Sequence, residues 1–203
     1  MASSDEFLTW YNNLPSVEDA SLIFTNRDQW FQRIGPLLAK DENKPYALTL
    51  VHRHFLLGNG ERMIATGLTT KPEAVQNTLD TDVQNSSWNS EGWGYEWQRV
   101  KTPRDRVPPP NNDLIVAFQK IFEHDDTNTG KVLGLALRPE PLAPDYVWWE
   151  TTRKEARELV IEQKRRSDIT DPQTFETCWI PQLNPETMEV VMKCCGTCYW
   201  PSH

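Results

Sequence analysis

The chain has 203 residues, 25% of them charged, and a formal net charge of -8 at pH 7. That length suffices for one domain with a buried core, and the acidic balance argues against a nucleic-acid binder, because phosphate contacts need a basic surface. The opening Met-Ala-Ser-Ser-Asp-Glu-Phe-Leu has neither the basic nor the apolar region of a signal peptide, and no run reaches the length of a membrane span, so a cytoplasmic protein with reduced cysteines is expected.

Ser3 or Ser4 opens a short helix in which Phe7, Trp10 and Tyr11 form one stripe, with Ser3 and Glu6 spaced as a capping box. Pro15 ends it. A second helix is predicted over Arg27 to Ala39, with Pro36 near its end. Tyr46 to Leu57 reads as the clearest strand, and Gly58-Asn59-Gly60 then turns it into Arg62 to Thr69, giving a β-hairpin. Lys71 to Ser90 reads as a polar helix or loop, Trp93 to Val100 as a strand, and the proline-rich Thr102 to Asn112 as a loop. A helix follows from Asp113 to Glu123, then a turn at Asp125 to Gly130 and strands at Lys131 to Leu137 and Asp145 to Trp149. Thr152 and Glu155 form a second capping box, which predicts a helix to Arg166 whose Lys164-Arg165-Arg166 end suits the helix dipole. Phe175 to Ile180 and Thr187 to Cys195 read as the last strands. The mixture implies an α+β fold over residues 1–203 as a single domain. Its sheet would be antiparallel or mixed, barrel-like closure included, with helices packed on it and a cysteine-containing tail at 194–203.

The sharpest lead is His52-Arg53-His54. Strand alternation puts both imidazoles on one face, with Leu48, Leu50 and Leu56. Such a pair is either structural or the polar end of a pocket. In a pocket, one histidine would act as general base or acid, with Glu61 or Arg62 orienting the substrate. Nine tryptophans are many to bury in a chain of this size, and Trp93, Tyr95 and Trp97 on one strand face, with Trp148, are the candidates to line a ligand cleft.

Two metal readings stand beside this. His52, His54 and Glu61 look like the first half of the cupin motif, but the gap to Glu61 is long and no second half follows. Cys195 and Cys198 have Cys-x-x-Cys spacing and, with His203 and Cys178 or Cys194, could hold zinc or dock a protein partner. A thioredoxin-type role is disfavoured because no helix can follow Cys198. Asp125 to Gly130 lacks the acid that an EF-hand needs at its twelfth position. No serine nucleophile elbow, phosphate loop or dinucleotide fingerprint occurs.

His52-Arg-His-Phe-Leu-Leu-Gly-Asn-Gly-Glu61 resembles a stretch in small, uncharacterised proteins of filamentous fungi, where a His-basic-His-Phe strand leads to a glycine turn and an acid. The resemblance implies a cytosolic fungal protein and no particular activity. The expectation is therefore a small-molecule binding protein or a cofactor-free enzyme of isomerase, cyclase or lyase type. The alternatives are an interaction protein with a zinc-binding tail and a metal-dependent enzyme using the histidine pair.

Overall fold

A computed structural model describes residues 4–74 and 82–200. Ten strands close a barrel in the order β1-β6-β4-β5-β2-β3-β8-β7-β10-β9, with β9 returning to β1. They are β1 (Tyr46–Leu50), β2 (Glu61–Thr66), β3 (Thr69–Ala74), β4 (Val83–Asn89), β5 (Gly94–Arg99), β6 (Leu133–Leu137), β7 (Tyr146–Arg153), β8 (Glu158–Arg165), β9 (Thr174–Leu183) and β10 (Val190–Tyr199). The β2–β5 and β7–β10 pairs are parallel and the others antiparallel, so the sheet is mixed. The helices are α1 (Ser4–Asn12), α2 (Val17–Ile23), α3 (Arg27–Leu38), α4 (Asn112–Lys120) and the short α5 (Thr129–Val132).

Alternation along the strands separates an outer core from a lumen. On β1, Tyr46, Leu48 and Leu50 face outward and meet Val17 and Ala20 of α2, Ile34 and Leu38 of α3, and Phe118 of α4. Trp179 of β9, 1% exposed, sits beneath these helices in ring contact with Phe24 and Phe31. The helices therefore shield one side of the barrel. At about 25 cal/mol per Å2 of apolar surface removed from water, such aromatic contacts dominate its stability.

A second cluster closes one end. Tyr11 and Leu14, at and just after α1, pack with Val51, Phe55 and Leu57, which follow β1, and with Met63, Tyr95 and Leu159, near the starts of β2, β5 and β8. The other end is the mouth, where β1, β7 and β10 begin and β2, β5 and β8 finish.

Three sequence expectations are corrected. The predicted strand Tyr46–Leu57 stops at Leu50, and Gly58-Asn59-Gly60 does not make a hairpin: β1 is flanked by β6 and β9, and β2 by β3 and β5. The helix predicted from Thr152 to Arg166 is instead the β7–β8 hairpin, with Arg157 at φ 48° in its turn. Its helix-forming residues are overridden by pairing to β3 and β10 and by packing such as Lys164 Nζ at 3.7 Å from the Trp149 ring centroid. Lys164-Arg165-Arg166 therefore caps no helix; Arg165 Nε donates to the Tyr146 hydroxyl at 3.1 Å, and the Arg166 guanidinium donates to the Cys194 carbonyl. Lys71 to Ser90 contributes strands β3 and β4, and 75–81 lie outside the described residues. The capping-box residue Ser3 lies outside them as well.

Candidate functional site

A cavity of about 950 Å3 occupies the lumen. Thr49 and Ala136 form part of its wall, and His52, His54, Glu96 and Glu150 lie at its closed end. These four come from distant stretches. The histidines lie on the segment that leaves the sheet after β1. Glu96 is the inward residue of β5 between Tyr95 and Trp97, and Glu150 is the inward residue of β7 after Trp148. Cys198 is the register partner of Glu150 on the parallel strand β10, so it points inward beside it.

The histidine segment is held by side chains where a ladder would otherwise hold it. Asn12 grips Leu57 both ways: its amide donates to the Leu57 carbonyl at 3.0 Å and its carbonyl accepts the Leu57 N–H at 2.8 Å. The Arg53 N–H donates to the Pro15 carbonyl at 2.9 Å, and its guanidinium donates to the Asn12 carbonyl. Arg157 makes a two-pronged pair with Glu61, at 2.9 and 2.7 Å, and donates to the Leu56 carbonyl at 2.6 Å. Glu61 also accepts the Gly58 N–H at 2.7 Å.

Arg157 above all holds the Glu61 carboxyl below its usual pKa of 4.5. An acid depressed on folding stabilises the fold above its unfolded pKa, and this contribution fades as pH falls through the folded value. Glu61→Gln should therefore cost about 1 kcal/mol or less at neutral pH, reduced by solvent because the Arg157 side chain is 42% exposed. The gap to wild type should close as pH falls below 4.5. Urea melts at neutral and acid pH check this, and a gap that widens in acid would contradict it.

At the closed end His52 and His54 are 5% and 6% exposed, with ring centroids 4.4 Å apart. His52 Nδ1 lies 2.8 Å from the Leu50 carbonyl oxygen. A carbonyl only accepts, so Nδ1 carries the proton and Nε2 presents a bare lone pair. His54 stands between two carboxylates, with Nε2 3.6 Å from Glu96 and Nδ1 3.5 Å from Glu150. Neither contact is a tight hydrogen bond. His52 Nε2, His54 Nδ1 and Glu150 Oε1 are buried without any hydrogen-bond partner. Glu96 is anchored by the Ser87 hydroxyl at 3.0 Å.

Burial sets the charge states. It pushes Glu96 up to about 7 against the opposing Ser87 bond. It pushes Glu150 up to about 8, with the Glu96 charge adding to it. It drives His52 down to about 4 against the opposing Leu50 bond. His54 falls well below its usual range, through burial and then the neighbouring His52. The two His54 contacts with carboxylates are therefore not ion pairs, because desolvation of the ring outweighs an attraction acting over 3.5 Å or more. Burial, followed by the Glu150 charge, raises the Cys198 thiol as well.

His52 and His54 thus lie together at the cavity end, and Glu61 lies on the surface side of the same segment, paired with Arg157. Arg62 is stacked between Phe7 and Trp97, at 3.8 and 5.3 Å from their ring centroids. Trp97 meets Phe7, Tyr95 meets Trp10 while bordering the cavity, and Trp93 is 49% exposed. Trp148 borders the cavity, with its indole N–H donated to the Glu140 carbonyl at 3.0 Å.

Residues 194–199 of the expected tail belong to barrel strand β10, whose irregular register between Cys194 and Thr197 lets both Cys195 and Cys198 border the lumen side. Cys195 meets Cys178 there, sulfur to sulfur at 3.0 Å, both as free thiols, whereas Cys198 meets the histidines. The Cys-x-x-Cys pair therefore does not converge on one point, and His203 lies outside the described residues. Among the described residues, no helix is long and apolar enough to cross a membrane.

Glu96 and Glu150 were missed from sequence, although each is a lone acid beside aromatic residues on a strand, Tyr95-Glu96-Trp97 and Trp148-Trp149-Glu150. No family model, curated protein or solved structure matches the chain.

Proposed function

We propose that the barrel is an enzyme's binding pocket for a small organic molecule, which enters by the mouth and presents a polar group to His52, His54, Glu96 and Glu150. The observation that carries this reading is the convergence of three partnerless buried atoms, on His52, His54 and Glu150, at the end of a cavity. Leaving such atoms unpaired costs stability, and a ligand group meeting them would recover it. The reaction class is transfer of a proton on the bound molecule. Glu96, oriented by Ser87 and open to the cavity, is placed to take or give that proton. Lys44, paired with Asp41 at 2.6 Å, Arg138 and Glu140 border the cavity too, so its lining carries both signs of charge.

Anilinonaphthalene sulfonate, an apolar body with an anionic group, is a suitable first probe. Its fluorescence should rise in the native protein, and Ala136→Trp, which places an indole in the lumen, should weaken its binding at least about tenfold, the equivalent of about 1.4 kcal/mol. Equal binding by wild type and Ala136→Trp, with both folded by circular dichroism, would sink the pocket reading.

A further inference from the structure

The four side chains His52, His54, Glu150 and Cys198 each aim one ligand-type atom at a common point, with all four atoms within 4.8 Å of one another. They are contributed by the segment after β1, by β7 and by β10. We infer that this point is a site for one divalent transition-metal ion, held by His52 Nε2, His54 Nδ1, a Glu150 carboxylate oxygen and the Cys198 sulfur.

Three independent features support the assignment. The first is the set of partnerless atoms: three of the four ligand-bearing side chains contribute one, and both histidines are more than nine-tenths buried. A single cation could meet all three of these atoms at once. The second is the tautomer of His52. Its Nδ1–H is spent on the Leu50 carbonyl at 2.8 Å, which orients the ring and leaves Nε2 as a ligand; metal-binding histidines are characteristically held this way by a backbone carbonyl. The third is spacing. His54 Nδ1 and the Glu150 oxygen are 3.5 Å apart with no hydrogen bond between them. Two ligands of a tetrahedral ion at 2.0–2.1 Å lie about 3.4 Å from each other, so the two atoms are spaced as ligands of one cation would be.

The donor set also selects the ion. Two neutral imidazoles, one carboxylate and one thiolate are ligands for zinc, cobalt, nickel or copper, and poor ligands for magnesium or calcium. Binding replaces the Cys198 S–H bond with a metal–sulfur bond and any proton on the Glu150 carboxyl with a metal–oxygen bond, and these protons go to solvent. Thiolate and carboxylate together carry two negative charges, which balance a divalent cation in a buried place.

The inference rests on the lumen being a ligand pocket and names what would meet that ligand at its closed end. His52, His54 and Glu150 all border the cavity, so an ion held there faces it. With four protein ligands a tetrahedral ion has no open position, so it could act as a Lewis acid on a substrate oxygen only by adding that oxygen as a fifth ligand. Glu96 is outside the ligand set and remains beside it, 3.6 Å from His54.

The test uses the full chain, stripped with a chelator under reducing conditions and titrated with cobalt(II). The expected result is one equivalent bound, with visible d–d bands of a tetrahedral ion and a near-ultraviolet thiolate-to-cobalt band. Cys198→Ser, close in size to the native residue, should lose the thiolate band and bind at least about tenfold more weakly. Cys178→Ser and Cys195→Ser should change neither. Stripped wild type that binds no stoichiometric cobalt or zinc overturns the proposal, as does a thiolate band that survives Cys198→Ser or disappears with Cys195→Ser. The sulfonate probe separates the two readings. Probe bound in the lumen of a protein that takes no metal removes the ion and leaves the pocket; metal bound by a protein whose probe ignores Ala136→Trp removes the pocket and leaves the ion.

Discussion

Gly134→Ala should cost about 3 kcal/mol or more and loosen the histidine segment, making it the most disruptive single methyl in the chain. Gly134 lies on β6 between β1 and β4, paired with Thr49 on one side and Asn89 on the other. A Cβ there would stand 2.3 Å from the Trp88 carbonyl oxygen, 2.8 Å from the Val51 side chain and 3.3 Å from the Asn89 Cα. The oxygen belongs to the backbone of a paired strand, so no rotamer change removes the clash, and β4 must shift relative to β6. Overpacking in a rigid core costs about 1–3 kcal/mol, and more where backbone is struck. Val51 is the residue from which the chain departs towards His52, so the same shift would move the histidines. Urea denaturation followed by tryptophan fluorescence measures the loss, and a midpoint equal to that of wild type would contradict this account of the close approach.

Glu150→Met should have the opposite sign. Replacing a core residue normally weakens a fold, but Glu150 Oε1 is a buried oxygen without a hydrogen-bond partner, 3.5 Å from His54 Nδ1. Met has similar length and no oxygen to leave unsatisfied, so the metal-free protein should gain about 1–3 kcal/mol. The same change should abolish the tight cobalt site. Stabilisation accompanied by lost binding is the pattern of a residue kept for its chemistry at the expense of the fold. Melts of chelator-treated wild type and variant give the stability difference, and cobalt titration gives the binding. A variant clearly less stable than wild type in the metal-free state would show that Glu150 is a structural residue.

The histidine pair was legible from sequence because a residue skipped between two imidazoles marks a shared direction. Strand alternation does not explain that direction, however: the segment leaves the sheet at Leu50, and Leu48 and Leu50, expected on the same face as the histidines, pack outward against the helices. Strands β3 and β4 read as a polar helix or loop, but β1, β2, β5, β6, β9, β10 and the start of β7 were legible because they alternate or carry β-branched and aromatic residues, and α3 and α4 because of their apolar periodicity. The β7–β8 hairpin was not, because Thr152 to Arg166 has good local helix chemistry and its strand state depends on β3 and β10, far away in the chain. Glu96 and Glu150 escaped for a related reason, and Cys198, singled out with Cys195 and His203, has other partners than the ones expected for it. Each is ordinary in its own neighbourhood, and only barrel closure brings them to His52 and His54. Glu61 shows the converse: its position after the histidines suggested a partner for them, while the two-pronged pair with Arg157 turns it outward to brace their segment.

The position of β10 between β7 and β9 has a consequence for how the protein reaches its native state. Until this strand inserts, β7 and β9 each present an unpaired edge, and such edges recruit strands from other molecules. Pairing β10 with β7 in parallel also joins stretches some fifty residues apart, Gly196 with Trp148 for example, so the loop-closure entropy must be overcome before the contacts form, and folding should be slow. Removing the chain beyond Lys193 would therefore not trim an appendage. It would leave an open sheet, whose expected fate is aggregation.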